Sequence, residues 1–271
     1  TIHYKGKITA NGGTIESRIL DFNASLDLKS GATLTADYLT LTNNDSVKLD
    51  GASATIQNLI LKNVSNNNLN TIFTNSNTAT STKLSVTEAL WFNSVGSFDL
   101  TKLDSANVEI EQNYDIRGVK STITGTSKDL IANVSLFEEA NLTLKSLTLK
   151  DTKANEVTTN GTTNTLKNSV YLQGDSKQTS NTKLTLTDSL KADGVEKATI
   201  QLWGKSEIIA PKITFNNVKD GILALDKDSK LTGTNGNANV EVSGVDSSLK
   251  IGILGDKNFD INAQGGSKIT L

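Results

Sequence analysis

The chain has 271 residues, a formal net charge of −2 at pH 7 and no cysteine, and 36% of its residues are hydrophobic. The balanced charge argues against a nucleic-acid partner, because such proteins carry clustered basic residues, and the only arginines are Arg18 and Arg117. The absence of cysteine excludes disulfides and thiolate metal sites, and no apolar run reaches the roughly 18 residues of a membrane span, so no membrane insertion is expected.

The first stretch of the chain predicts short β-strands in a regular repeat. Between residues 26 and 61, apolar residues alternate with polar ones in pairs, and turn-forming segments such as "KSG", "NND" and "DGAS" separate the pairs. Three pairs make a set, and the sets recur roughly every 20–22 residues. This pattern predicts an all-β, right-handed parallel β-helix, a three-sided β-solenoid whose coils stack on one another. The pairs are Leu26/Leu28, Ala32/Leu34, Leu39/Leu41, Val47/Leu49, Ala54/Ile56 and Leu59/Leu61.

The same pattern continues along residues 1–271, which are interpreted as one β-helix. The segment "TKLSVTEAL" at 82–90 recurs as "TKLTLTDSL" at 182–190, and "LILKN" at 59–63 recurs as "LTLKD" at 147–151. Two polar segments, 64–81 and 152–181, interrupt the pattern at equivalent places and are predicted to be loop insertions. They are either tolerated surface loops or a display of binding determinants, and "SVYLQ" within the second is a candidate strand.

Short coils such as "LDLKSGATLTADYLTL", Asn- and Thr-rich corners, no cysteine and a single proline resemble the passenger regions of bacterial autotransporters, which are type V secreted proteins. The coils look like those of self-associating adhesins, and the Asn-rich insertions look like those of vacuolating-cytotoxin-like passengers. The resemblance implies a surface-exposed or secreted, extracellular protein that is exported across the outer membrane. A chain that begins at "TIHYKGKI" and stops at "SKITL" is interpreted as a fragment of a longer passenger.

The leading functional hypothesis is an adhesin that attaches to host cells or to sister cells through the solenoid face and the inserted loops. Its partner would be a host-cell surface protein or glycan, or a second copy in homotypic self-association. One alternative is the receptor-binding or assembly region of a secreted toxin. Another is a structural stalk with no binding role.

The sequence offers little catalytic chemistry, so we expect no enzyme activity, no cofactor and no metal site. The single histidine, His3, is the only imidazole available as a base or zinc ligand. A carbohydrate-active enzyme on a β-helix would need grouped carboxylates, and the best candidates are Glu109 and Glu111, followed by Asp115 and Arg117. Alternating carboxylates of this kind are more often a solvated strand face.

Two further groups of residues are candidate contact or modification sites. Exposed aromatic rings are the usual platforms for sugars, and Trp91, Trp203 and Tyr171, with Tyr38, are the candidates for carbohydrate or partner contact. Among the Asn-x-Ser/Thr sequons, Asn23 and Asn141 carry an acidic residue two positions earlier and are the candidate glycosylation sites.

Overall fold

The all-β prediction is confirmed. In a computed structural model, 70% of the described residues lie in strands and 2% in helix, and the strands are mostly parallel, which is compatible with a β-solenoid. The structure describes residues 2–4, 7–22, 25–43, 45–64, 73–75, 83–105, 108–110, 114–159, 161–175, 177–255 and 257–271.

The chain divides into two compact units. Unit 1 comprises residues 1–111 and 121–123, and unit 2 comprises residues 112–120 and 124–271. The strands of unit 1 are β1 (Ile2–Tyr4), β2 (Lys7–Asn11), β3 (Thr14–Phe22), β4 (Ser25–Lys29), β5 (Thr33–Leu41), β6 (Ser46–Asp50), β7 (Ser53–Lys62), β8 (Phe73–Asn75), β9 (Lys83–Asn93), β10 (Phe98–Asp99) and β11 (Val108–Ile110), with one short helix, α1 (Thr101–Ser105).

Two parallel ladders build unit 1. The strands β1, β3, β5, β7, β9 and β11 follow one another in one ladder, and β2, β4, β6 and β8 follow one another in the second. Ser25 pairs with Ser46 and Thr33 pairs with Ser53, which are 21 and 20 residues apart in the chain, whereas Ser53 pairs with Lys83, 30 residues further on. The spacing of the first strands agrees with the period predicted from the sequence, and the later spacing is longer.

Unit 2 holds the remaining strands. Their bounds are β12 (Tyr114–Val119), β13 (Thr122–Phe137, which begins in unit 1), β14 (Asn141–Leu149), β15 (Asn155–Thr159), β16 (Thr162–Leu166), β17 (Ser169–Gln173), β18 (Thr182–Asp193), β19 (Lys197–Trp203), β20 (Ser206–Ile209), β21 (Lys212–Asn216), β22 (Asp220–Leu225), β23 (Lys230–Gly233), β24 (Gly236–Ser243), β25 (Ser248–Ile253), β26 (Phe259–Ala263) and β27 (Lys268–Thr270).

Three parallel ladders build unit 2. The first ladder runs through β12, β13, β17, β19, β22, β25 and β27. The long strands β14 and β18 pair with each other, and β18 then pairs with β20 through its first half and with β21 through its second half. The second ladder therefore runs from the first halves of β14 and β18 through β20 to β23, and the third runs from their second halves through β21 and β24 to β26.

The core consists of side chains that stack on their equivalents in the next strand. In the first ladder of unit 2, Val134 pairs with Val170, Val170 with Ile200, and Ile200 with Leu223, and each is at most 1% exposed. Because strand side chains alternate between faces, the residues between these positions point outward. These residues form the outward face of the first ladder.

The two duplicated sequence segments have the same structural role in their units. The strand β7, which contains "LILK", pairs with β9, which contains "KLSVTEAL". The strand β14, which contains "LTL", pairs with β18, which contains "TKLTLTDSL". In both pairs the register shifts at the equivalent position, between Ile56 and Asn58 of β7 and between Leu144 and Ser146 of β14. The repetition in the sequence is therefore a repetition of structure.

One predicted pairing was wrong by two residues. The inward pair that stacks on Ala54 and Ile56 is Leu34 with Ala36, rather than Ala32 with Leu34. Ala32 is also fully buried, but it lies before β5, beside the left-handed corner residues Ser30 and Gly31. Alternation alone does not show where a strand begins, and a buried alanine at a corner resembles one in a strand.

The predicted insertions are only partly insertions. Within 64–81 the structure describes Val64 and residues 73–75, the latter forming β8 in parallel with β6, while 65–72 and 76–81 lie outside the described residues. Within 152–181, β15 and β16 form an antiparallel hairpin that belongs to no ladder, whereas "SVYLQ" is β17, a strand of the first ladder. Within 152–181, the strands that lie outside the ladders are thus those of the β15–β16 hairpin.

Candidate functional site

A tight turn that contains a glycine connects the two strands of the β15–β16 hairpin. Asn155 pairs with Leu166 and Thr159 pairs with Thr162, leaving a two-residue connection in which Gly161 has a φ of 77°. Glycine adopts this left-handed conformation without strain, which is why tight hairpins use it. The hydroxyls of Thr158 and Thr163 lie 2.9 Å apart across the hairpin.

The hairpin packs against the outward face of the first ladder through a small apolar cluster. Val157 and Leu166 of the hairpin and Tyr171 of β17 are 5%, 7% and 5% exposed, and Phe137 packs against them. The rings of Phe137 and Tyr171 have centroids 5.8 Å apart. Tyr171 points outward, because its neighbours Val170 and Leu172 are buried in the core, yet the hairpin covers it. Tyr171 is therefore an anchor for the hairpin, and its burial does not suit the predicted role of an exposed contact residue.

A buried polar network closes the base of the hairpin. The Asn133 side chain is fully buried, and its Nδ2 donates to Asp115 Oδ1 and to the Lys153 carbonyl, both at 2.7 Å. Its Oδ1 accepts from the Thr152 hydroxyl at 2.6 Å and from the Ser169 N–H at 2.9 Å. These bonds fix both ends of the segment that carries the hairpin.

The outward face next to the hairpin carries an exposed tryptophan flanked by two amides. Tyr171 pairs with Gln201, and Gln173 pairs with Trp203, so these four side chains share one face. Trp203 is 37% exposed, while Gln173 and Gln201 are half-buried. The Tyr171 hydroxyl donates to Gln173 Oε1 at 3.2 Å, which leaves the Gln173 NH₂ group available to a ligand. We call Gln173, Gln201 and Trp203 the outward strip.

A cleft of about 580 Å³ lies between the hairpin and the next strands of the ladder. One side is formed by residues 164–168, and the other by residues 194–197 with Thr199, Gln201 and Ile222. Two of its charged residues are acidic, Asp151 and Glu196, and two are basic. The balanced charge suits an uncharged ligand with many hydrogen-bonding groups. The residues that line the cleft are Asp151, Asn164, Thr165, Leu166, Lys167, Asn168, Gly194, Val195, Glu196, Lys197, Thr199, Gln201 and Ile222.

The other predicted aromatic contacts lie in unit 1. Trp91 of β9 is half-buried beside the core residue Phe92, and Tyr38 of β5 is 36% exposed. Trp203 lies two positions beyond Gln201, a lining residue of the cleft, on the same face of β19. The matching segments "VYLQG" at 170–174 and "IQLWG" at 200–204 are the sequence signal for the outward strip, since they place the amides and the tryptophan in register.

Of the two predicted glycosylation sites, the structure describes one. Asn141 begins β14, is half-buried, and donates from Nδ2 to the Glu139 carbonyl at 2.9 Å. Asn23 lies outside the described residues. The sequon at Asn133 is closed in the folded chain, because that side chain is fully buried. Glycosylation at Asn141 stays a prediction.

The acidic side chains suggested for catalysis have structural partners where they are described. Glu109 pairs with Lys83 at 2.7 Å, and Asp115 is 4% exposed and accepts from Asn133 and from Arg117. Glu111 lies outside the described residues. A further acidic side chain, Asp226, caps a turn by accepting from the N–H groups of Asp228 and Ser229, both at 3.0 Å.

Glu139 also holds a loop. Its Oε1 accepts from the N–H groups of Ser180 and Thr179 and from the Thr179 hydroxyl, at 3.1, 2.6 and 2.9 Å. The Ser180 N–H, followed by the Thr179 hydroxyl and N–H, holds the pKa of the Glu139 carboxyl below its usual value. Hydrogen bonds to the ionised form favour that form.

Comparison with protein-family models, with curated proteins and with solved structures finds no match. In the part of the chain that the structure describes, no three His, Cys, Asp or Glu side chains lie close enough to hold a metal ion. No helix among those residues is long and apolar enough to cross a membrane.

Proposed function

We propose that this chain is an adhesin region of a surface-exposed or secreted bacterial protein, similar to an autotransporter passenger, and that its strands form a right-handed parallel β-helix. The parallel ladders support the β-helix, and so does the spacing of 20 and 21 residues between stacked strands of unit 1. Lack of cysteine suits a chain that is exported unfolded and folds outside the cell. The regular ladder would hold a row of outward side chains at fixed spacing for a partner.

The observation that carries the binding proposal is the outward strip. Trp203 is 37% exposed, and Gln201 lies two positions earlier on the same side of β19, about 7 Å away. A sugar ring presents an apolar face of C–H groups and an edge of hydroxyls, so it would stack on the indole while its hydroxyls bond the two amides. We therefore propose a host-cell surface glycan as the partner.

The test is binding of the labelled chain to epithelial cells, with Trp203→Ala as the variant and Tyr38→Ala as the matched control. Both substitutions remove an aromatic ring of nearly the same exposure, but only Trp203 belongs to the outward strip. We expect saturable binding that falls at least tenfold in Trp203→Ala and remains in Tyr38→Ala. Treatment of the cells with glycosidases should reduce wild-type binding as well.

Equal loss of binding in the two variants would refute the role of the outward strip. Absence of saturable binding by the folded wild-type chain would refute the adhesin proposal and favour a stalk. Binding accompanied by assembly into rings would instead favour the toxin alternative.

A further inference from the structure

We propose that the free edge of β16 is a docking site for an extended peptide of a partner protein, which would add a third strand to the hairpin and lie in the cleft. This site shares Gln201 with the outward strip but includes neither Gln173 nor Trp203, and it depends on the proposed function only for its biological setting. In the part of the chain that the structure describes, β15 and β16 form a two-stranded sheet. The edge of β16 that faces away from β15 is therefore open.

The register identifies the backbone groups at this edge. In an antiparallel pair, directly opposed residues alternate between pairs that exchange hydrogen bonds and pairs that do not, and the residues that flank a two-residue connection are of the first kind. Thr159–Thr162 is that flanking pair, so the N–H and C=O groups of Thr163 and Thr165 point away from β15. These two residues offer two donors and two acceptors to a new strand.

The sequence does not protect this edge. Natural proteins usually block open strand edges with charged side chains, proline or bulges. The strand β16 reads "TTNTL" and contains neither a charge nor a proline, and its register with β15 is regular. Its first four residues are exposed.

The cleft gives the added strand a floor as well as an edge. Thr165 and Leu166 line one side of the cleft, and Thr199, Gln201 and Ile222 line its opposite side. The hairpin already covers Tyr171 of β17, so the next strand in the hairpin sheet would cover β19 and β22, the strands that follow β17 in the ladder. One side chain of the peptide would contact Ile222, so an aliphatic residue suits that position, and the neighbouring residues should be uncharged.

A second copy of the chain fits this edge poorly. Symmetric pairing of two β16 strands would relate the copies by a two-fold axis perpendicular to the hairpin sheet, which places both ladders on the same side of that sheet. Outward residues of β19 and β22 line the cleft together with Thr165, from which we infer that each ladder extends beneath the open edge and that the two ladders would collide. A single extended peptide avoids this collision.

The test uses a display library of uncharged heptapeptides, selected on the wild-type chain and counter-selected on Thr165→Pro. Proline removes the edge N–H of Thr165 but leaves the bonds between β15 and β16, which do not involve that group. We expect enriched peptides with alternating aliphatic residues, and a synthetic copy should bind with an affinity at least tenfold higher for wild type than for Thr165→Pro. A copy that is N-methylated at alternate residues, with unchanged side chains, should not bind.

Hydrogen exchange of the free chain provides a check that needs no ligand. The amides of Thr163 and Thr165 should exchange rapidly, and those of Thr162, Asn164 and Leu166 should be protected, with protection of Thr163 and Thr165 appearing only when peptide is added. No enrichment over Thr165→Pro, equal binding of the N-methylated copy, or slow exchange at Thr163 and Thr165 in the free chain would overturn the proposal. Trp203→Ala should leave peptide binding unchanged, which separates this result from the cell-binding test.

Discussion

Replacing Tyr171 with alanine should release the hairpin from the ladder while leaving the ladder folded. Tyr171 is 5% exposed and packs against Val157, Leu166 and Phe137, but it is on the outward face, so its removal opens no space in the ladder core. Burial of a tyrosine ring removes roughly 150 Å² from water, which at about 25 cal/mol/Å² contributes about 4 kcal/mol.

A two-stranded hairpin is marginal in water by itself, so we expect the hairpin to undock once this contribution is lost. The free energy of global unfolding should decrease by less than about 4 kcal/mol. Once the hairpin has undocked, the substitution destabilises the chain no further, so the largest possible decrease is the free energy of hairpin docking.

The assay is amide hydrogen exchange resolved by residue. In Tyr171→Ala, the amides of residues 155–166 should lose most of their protection, whereas those of β19 and β22 should keep theirs. The control is Tyr38→Ala, which removes an exposed ring and should change neither set. Hairpin amides that stay as protected in Tyr171→Ala as in wild type would refute the docking role assigned to this cluster.

Four further predictions follow from single contacts. Asn155→Val should strengthen hairpin docking by about 1 kcal/mol, measured by the same exchange experiment, because both polar atoms of the Asn155 side chain are buried without a hydrogen-bond partner in the described part of the chain. Asn133→Ala should lower the unfolding free energy by about 3 kcal/mol in urea titrations, since it leaves several buried groups unpaired, including Asp115. Gly204→Ala should lower the unfolding free energy by at least about 2 kcal/mol, because Gly204 has a φ of 60° and a Cβ there would overlap the Gly174 carbonyl oxygen. Gly252→Ala should leave the unfolding free energy unchanged, because a Cβ there meets no atom within 4 Å. The ionised Glu139 carboxylate stabilises the turn at residues 179–180 at neutral pH, and this stabilisation should be lost as the pH falls through its lowered pKa. The amide resonances of Thr179 and Ser180 should show this transition in wild type and should not show it in Glu139→Gln.

Much of the ladder structure was predictable from the sequence because inward positions repeat with period two. Leu39 stacks on Leu59 and Leu41 stacks on Leu61, as the alternating pairs predicted. The strand β17 was harder to place, since "SVYLQ" lies between polar segments and its outward tyrosine is buried by a hairpin rather than by the core. Local alternation identifies a strand but not what covers its outer face.

The candidate site was predictable only in part. Trp203 is identifiable from the sequence as an aromatic residue at the end of an alternating strand, but its partners Gln173 and Gln201 depend on a register that joins segments 30 residues apart in the chain. Tyr171 was predicted to be a contact residue because it is aromatic, while the contact that buries it comes from Val157 and Leu166. Such contacts depend on how the hairpin folds back onto β17, and the spacing of apolar residues in the sequence does not predict this.

The proposal that Trp203 contacts a glycan is tested most directly by indole fluorescence. In a Trp91→Phe variant, Trp203 is the only tryptophan, so the emission reports on the outward strip alone. Oligosaccharides released from epithelial cell surfaces are titrated into this variant, and we expect a saturable blue shift as a sugar ring displaces water from the indole face. An emission spectrum that stays unchanged at saturating oligosaccharide, with the same glycans still bound by the chain, would contradict the account.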